Sequence, residues 1–245
     1  MNKILMKDIQ RMIGATKGRF FSLTAIVTIG VAFFVGVSSS SSVMAASVDR
    51  YDDQQNLKDI TIYSNYGFDQ DDLNAVKNMT NVSDAELSKF VDVDAASDTR
   101  SMVVRVHAYK KDSTINQFVL KSGRLPENKN ECLAESSTGL KTGFALDSTV
   151  TFNRPENDLS DYLNVNACKV VGTIESPLYL DVTKENSTLS NQYINTYIYI
   201  PDDAFSMEYG TEINILLKNA KSYNSFSDEY EVYTKEAKAT IEEES

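Results

Sequence analysis

The sequence predicts a mixed α+β protein: one N-terminal transmembrane helix, a strand-rich extracellular domain, and a C-terminal helix. Three observations carry this reading. Residues 20–48 contain no charged side chain. Short alternating segments separated by turn residues recur from residue 59 to residue 217. The tail then changes to helical spacing, with no Gly after Gly210 and no Pro after Pro201.

The chain has 245 residues and a net charge of −11, but the charge is unevenly spread. Lys3, Lys7, Arg11, Lys17 and Arg19 against Asp8 put +4 in the first nineteen residues, which leaves −15 for the rest. The uncharged run between these parts is about 43 Å long as a helix, and its most apolar part, residues 20–37, about 27 Å. A bilayer core is about 30 Å thick. The basic side of such a span stays in the cytosol, so the acidic bulk lies outside. A secretory signal is the rival reading, with Val43-Met44-Ala45-Ala46 as its small-residue exit. The long patterned leader and the full apolar run favour an uncleaved span. Both readings export the remainder. The expected organisation is a cytosolic segment 1–19, a span with its exit 20–48, an external domain 49–224, and a helical stretch 225–245.

In the leader, Leu5, Ile9, Met12 and Ile13 fall on one helical face, with Lys3, Lys7 and Arg11 on the other. This is the pattern of a helix lying in the membrane interface against lipid. A plain helical extension of the span fits equally well. Gly14 and Gly18 suit a bend before the span. Within the span, Ala32, Gly36 and Ser40 recur at a spacing that lets another helix approach closely.

In the external part, residues 59–63 alternate as a strand. Residues 69–79 read as a helix capped by Asp69, with Asp71 and Asp72 in its first turn and Leu73, Val76 and Met79 facing inward. Residues 102–109 read as a half-buried strand. Further strands are expected at 116–120, 131–134, 148–152, 168–174, 193–200 and 212–217. Residues 153–166 are polar and read as an exposed insertion. Phe226, Tyr230, Tyr233, Ala237 and Ile241 mark a final helix, with Ser225 or Ser227 as its cap. It still runs at residue 245 without a stop signal.

The acid excess argues against a general nucleic-acid surface, which needs basic side chains to displace counterions. No glycine loop ending in Lys-Ser or Lys-Thr is present for ATP. The lone histidine, His107, sits on a strand's polar face and reads as an ordinary surface residue rather than a metal ligand or catalytic base. Asp92, Asp94 and Asp98 faintly resemble a calcium loop, but the required Gly and closing Glu are missing. No catalytic residue, metal site or cofactor site is therefore expected. Cys132 and Cys168 lie in two expected strands. Export permits a disulfide between them, though alternation does not say whether those strands are neighbours.

Several motifs together resemble a known family. Lys17-Gly-Arg-Phe-Phe-Ser-Leu23 running into Gly30-Val-Ala-Phe-Phe-Val-Gly36 is similar to the first membrane helix of FtsX-like permeases of ABC transporters. Ser122-Gly-Arg-Leu-Pro126 with Asn130-Glu131, then Val170-Val-Gly172 with Glu175-Ser-Pro-Leu-Tyr179, resemble blocks of that family's external domain. Tyr197-Ile-Tyr-Ile-Pro201, Ala204-Phe205 and Tyr209-Gly-Thr-Glu212 follow in the family's order.

The resemblance implies a MacB-like domain inserted between the first and second membrane helices, with the tail from Ser225 starting the helical stalk that leads onward. It further implies that this is the N-terminal part of a permease. Its partners would be a separate cytosolic ABC ATPase and the remaining permease helices or a second permease copy. ATP hydrolysis would belong to that partner and mechanical transmission to this chain. The competing class is a membrane-anchored binding or sensor domain without an ATPase. A secreted enzyme would need a catalytic group that the sequence does not offer.

Overall fold

The computed structural model describes residues 3–15, 17–98, 100–136, 143–155, 157–179, 185–189 and 193–244. The chain divides into two units, residues 1–49 and 50–245. The first holds helix α1 (Lys3–Ala15) and most of helix α2 (Lys17–Gln54). Thr16, between α1 and α2, lies outside the described residues, as does the bend expected near Gly14 and Gly18. Phe20, Ile26, Phe33, Phe34 and Val43 of α2 are all more than half exposed. A helix in the core of a soluble domain would bury such side chains. By length and composition α2 can cross a membrane.

The second unit contains two sheets. The smaller one is antiparallel, with β10 (Gly210–Leu217) in the centre, flanked by β1 (Ile60–Phe68) and β2 (Val82–Ser88). Helix α3 (Gln70–Lys77) and helix α4 (Asp228–Glu244) complete its core. Leu73 and Val76 of α3, Ile213 and Ile215 of β10, and Ala237 and Ile241 of α4 are buried together. The reason α3 starts where it does is visible: Asp69 accepts from the backbone of Asp71 and Asp72, and Asp72 returns a bond to the Asp69 N–H. The Ser227 hydroxyl accepts from Tyr230 N at the head of α4.

The larger sheet closes on itself. Its order is β7 (Thr149–Asn153), β3 (Phe90–Ser97), β4 (Arg100–Tyr109), β9 (Thr196–Pro201), β6 (Glu131–Glu135) and β8 (Ala167–Glu175), which pairs back to β7. This is a six-stranded barrel. Strand β5 (Val119–Gly123) continues the edge of β8 where β7 leaves off, since β7 pairs with residues 167–169 and β5 with residues 172–175. Two pairings, β4 with β9 and β6 with β8, are parallel. Gly123 makes the last approach, with φ at +78° and the Val171 carbonyl 2.2 Å from where a Cβ would stand. Only glycine fits that backbone without displacement.

Val93, Val104, Val106, Val150, Val170 and Ile198 fill the barrel. Three expectations need correction. Strands β2 and β3 were not expected, because serine and acids at Ser83, Asp84, Glu86, Asp92 and Asp94 break up their hydrophobic signal. Asp92 and Asp94 therefore lie on a strand, not in a calcium loop. Residues 153–166 are not simply an exposed insertion, since Leu163 and Val165 reach the barrel core. The strand expected at 116–120 lies three residues later, after Asn116 turns the chain with φ at +55°.

Candidate functional site

Strand β4 carries the chemistry closest to a site. Its Val104 and Val106 point into the barrel. Arg105 and His107 point the other way and are nonetheless buried. The surface role expected for His107 is thus wrong: aromatic side chains cover the outside of β4 as well. The His107 ring stacks on Tyr199 with centroids 5.0 Å apart. Its Nε2 lies 2.7 Å from the Tyr179 hydroxyl. Tyr179 stacks in turn on Tyr197 at 4.5 Å. Ser176 ties the group together, because its N–H donates to the Tyr197 oxygen and its hydroxyl meets the Tyr199 hydroxyl, each at 3.0 Å. Burial, helped by the positive charges of Arg105 and Lys58, pushes the His107 pKa down to about 3. The imidazole is neutral at ordinary pH, which unsuits it to proton transfer there.

One step back along β4, Arg105 makes a two-pronged ion pair with Asp92, Nε to Oδ1 at 2.7 Å and Nη2 to Oδ2 at 3.0 Å. Its Nη1 donates to Glu185 at 2.5 Å, and its guanidinium lies 4.3 Å from the centre of the Phe90 ring. The Thr188 N–H also donates to Asp92. Burial works to raise the Asp92 pKa, but Arg105 and Thr188 outweigh it and hold the carboxyl below the usual range. Every charge in this cluster has a partner, so it reads as a clamp holding residues 185–189 to the barrel.

Above the aromatic network lies a cleft of about 340 Å³. Three separate stretches line it: the end of β2 (Glu86, Leu87, Ser88), the end of β4 with the loop to Phe118, and Leu120 with Leu125. His107, Tyr199 and Asn214 also reach it. The volume is at the lower end of the range that holds small organic ligands. Sequence reasoning missed this site. The available signals were the paired lysines Lys110 and Lys111 directly after β4 and the repeated tyrosines Tyr197 and Tyr199 on β9.

The residues singled out from sequence lie elsewhere. Cys132 and Cys168 are joined as a disulfide between neighbouring strands β6 and β8, with Cα atoms 5.8 Å apart. Ile9 and Met12 on α1 are exposed, while the side chains of Leu5 and Ile13 lie outside the described residues. Ala32, Gly36 and Ser40 are exposed on α2, and a Cβ on Gly36 would meet no atom within 4 Å. Among the described residues, no group of three His, Cys, Asp or Glu side chains is placed to hold a metal ion.

No family model matches the chain, and no curated protein matches it. Similar solved structures exist. The extracellular domain of the noncanonic ABC-type transporter YknZ from Gram-positive bacteria aligns at 11% identity and a TM-score of 0.40, covering 73% of this chain and 93% of that one. The periplasmic region of MacB from Actinobacillus actinomycetemcomitans aligns at 12% identity and a TM-score of 0.37, covering 74% of this chain and 75% of that one.

Proposed function

We propose that the chain is the N-terminal part of an ABC transporter permease subunit of the FtsX-like kind. Residues 1–19 would face a cytosolic ABC ATPase, residues 20–48 would cross the membrane, and residues 49–224 would form the external domain. Residues 225–245 would begin the stalk toward the remaining permease helices, or toward a second permease copy. The chain itself would be non-catalytic and would transmit movement.

One observation carries this reading beyond the sequence motifs: the first and last segments of the domain are stitched together. Lys221 Nζ donates to the Asp53 carbonyl at 2.7 Å and to Asn56 Oδ1 at 2.6 Å. Asp59 accepts from Leu217 N at 2.7 Å and from the Tyr230 hydroxyl at 2.6 Å. A domain inserted between two membrane helices needs its two chain ends side by side, so that both helices move it together. An anchored binding domain has no such requirement, although the cleft favours that second reading.

The test is purification of the full-length protein from membranes of its own cells. An ABC ATPase is expected to co-purify and to be lost when residues 3–15 are deleted. Recovery of the protein without any ATPase overturns the permease reading and leaves the anchored binding domain.

A further inference from the structure

We infer that the cleft beside His107 and Tyr199 binds a soluble carboxylate with a short aliphatic tail. Leu87, Ile115, Phe118, Leu120, Leu125 and the Tyr199 ring supply its apolar lining. Leu120 and Leu125 are each 39% exposed. Burying that surface under a ligand is favourable.

The polar lining decides the sign of the ligand's head. Glu86 is the one acid on the cleft wall. Its oxygens already accept from the Ser113 hydroxyl at 2.6 Å, Thr114 N at 2.6 Å and the Thr114 hydroxyl at 2.9 Å. The amides are engaged too. Asn116 accepts from Lys58 N, Gln117 donates to the Ser113 carbonyl, and Asn214 bonds Thr61 and Glu212.

Lys110 and Lys111 remain. Lys110 spends one N–H on the Leu87 carbonyl at 2.8 Å. Among the described residues neither lysine has an ion-pair partner. Asp112, the next acid along, does not line the cleft. Lys110 and Lys111 against Glu86 give the cleft lining a net charge of +1, within a sequence that carries −15 after residue 19. An anionic head is attracted by Lys110 and Lys111, which repel a cationic amphiphile.

The experiment uses the full chain in phosphatidylcholine nanodiscs, with empty discs as reference, and two probes of equal length, octanoate and octylammonium. Equilibrium dialysis reads binding to the unmodified protein. Because the chain has no Trp, Phe118→Trp supplies a second readout by fluorescence from the cleft wall alone. Octanoate is expected to bind in excess of empty discs and about tenfold or more tighter than octylammonium. The Lys110→Glu, Lys111→Glu double variant is expected to reverse that order. Uptake by the bilayer only, equal affinity for the two probes, or an order unmoved by the charge reversal each overturns the inference.

Discussion

Asp92 and Arg105 stand directly opposite each other in the β3–β4 register and close a buried ion pair through two hydrogen bonds. Removing one partner strands the other charge away from water. Arg105→Met is expected to destabilise the domain by about 3–5 kcal/mol. The double variant with Asp92→Asn should recover part of that loss. Denaturant unfolding followed by the tyrosine near-ultraviolet signal reads both. Asp92 has a lowered folded pKa, so the stability it contributes is complete above the ordinary aspartate value, about 4, and disappears as pH falls through the folded value. Burial alone raises the Asp92 pKa, so loss of Arg105 should remove this part of the acid dependence, and the gap in stability between the variant and the unmodified protein should narrow as pH falls.

His107 should stay unprotonated across the physiological range. Its imidazole resonances are expected not to shift between pH 5 and 8 in the folded protein, because its pKa is near 3. The unfolded chain takes up that proton below about pH 6.5. Native stability should therefore fall as pH drops from about 6.5 toward 3, and His107→Phe should flatten this part of the profile. The same substitution leaves the Tyr179 hydroxyl without its partner, which costs about 1–3 kcal/mol at neutral pH.

Gly123→Ala tests the junction of β5 with β8. The added methyl must adopt a left-handed backbone and also push against the Val171 carbonyl. A loss of at least about 1–2 kcal/mol is expected from the conformation alone. Thermal melting should show it. Hydrogen exchange should show faster opening of β5 than of β6.

The Cys132–Cys168 link closes a loop of 36 residues. A cross-link over that separation is worth about 4 kcal/mol in the chain-entropy account. Comparison of unfolding with and without reductant, checked by thiol alkylation, should reveal a loss of that order. Cys132→Ala with Cys168→Ala should reproduce it.

Much of the fold was legible locally. Residues 59–63, the Asp69 cap with its helix, and the strands around Cys132, Val150, Cys168 and Ile213 declared themselves through alternation or capping. Strand β3 did not, because the buried Asp92 depends on Arg105, which the pattern of one segment cannot reveal. Barrel closure was equally hidden, since Val106 meets Ile198 in parallel across a long separation. The cleft escaped for a related reason: Glu86, Lys110 and Leu125 come from three stretches that no local spacing connects. The burial of His107 depended on Tyr179 and Tyr199, which sit far along the chain and cover the face that alternation marked as polar.

The central position of β10 also sets an order of events during synthesis. Strands β1 and β2 are the first two made, yet they pair with β10 and not with each other. Ile60 waits for Ile215, and Ala85 for the same residue. The barrel, built wholly from residues 90–201, has all its strands available earlier. The nascent domain therefore carries two unpaired strands ahead of a foldable barrel until residue 217 is made, which is the interval when it most needs protection from aggregation.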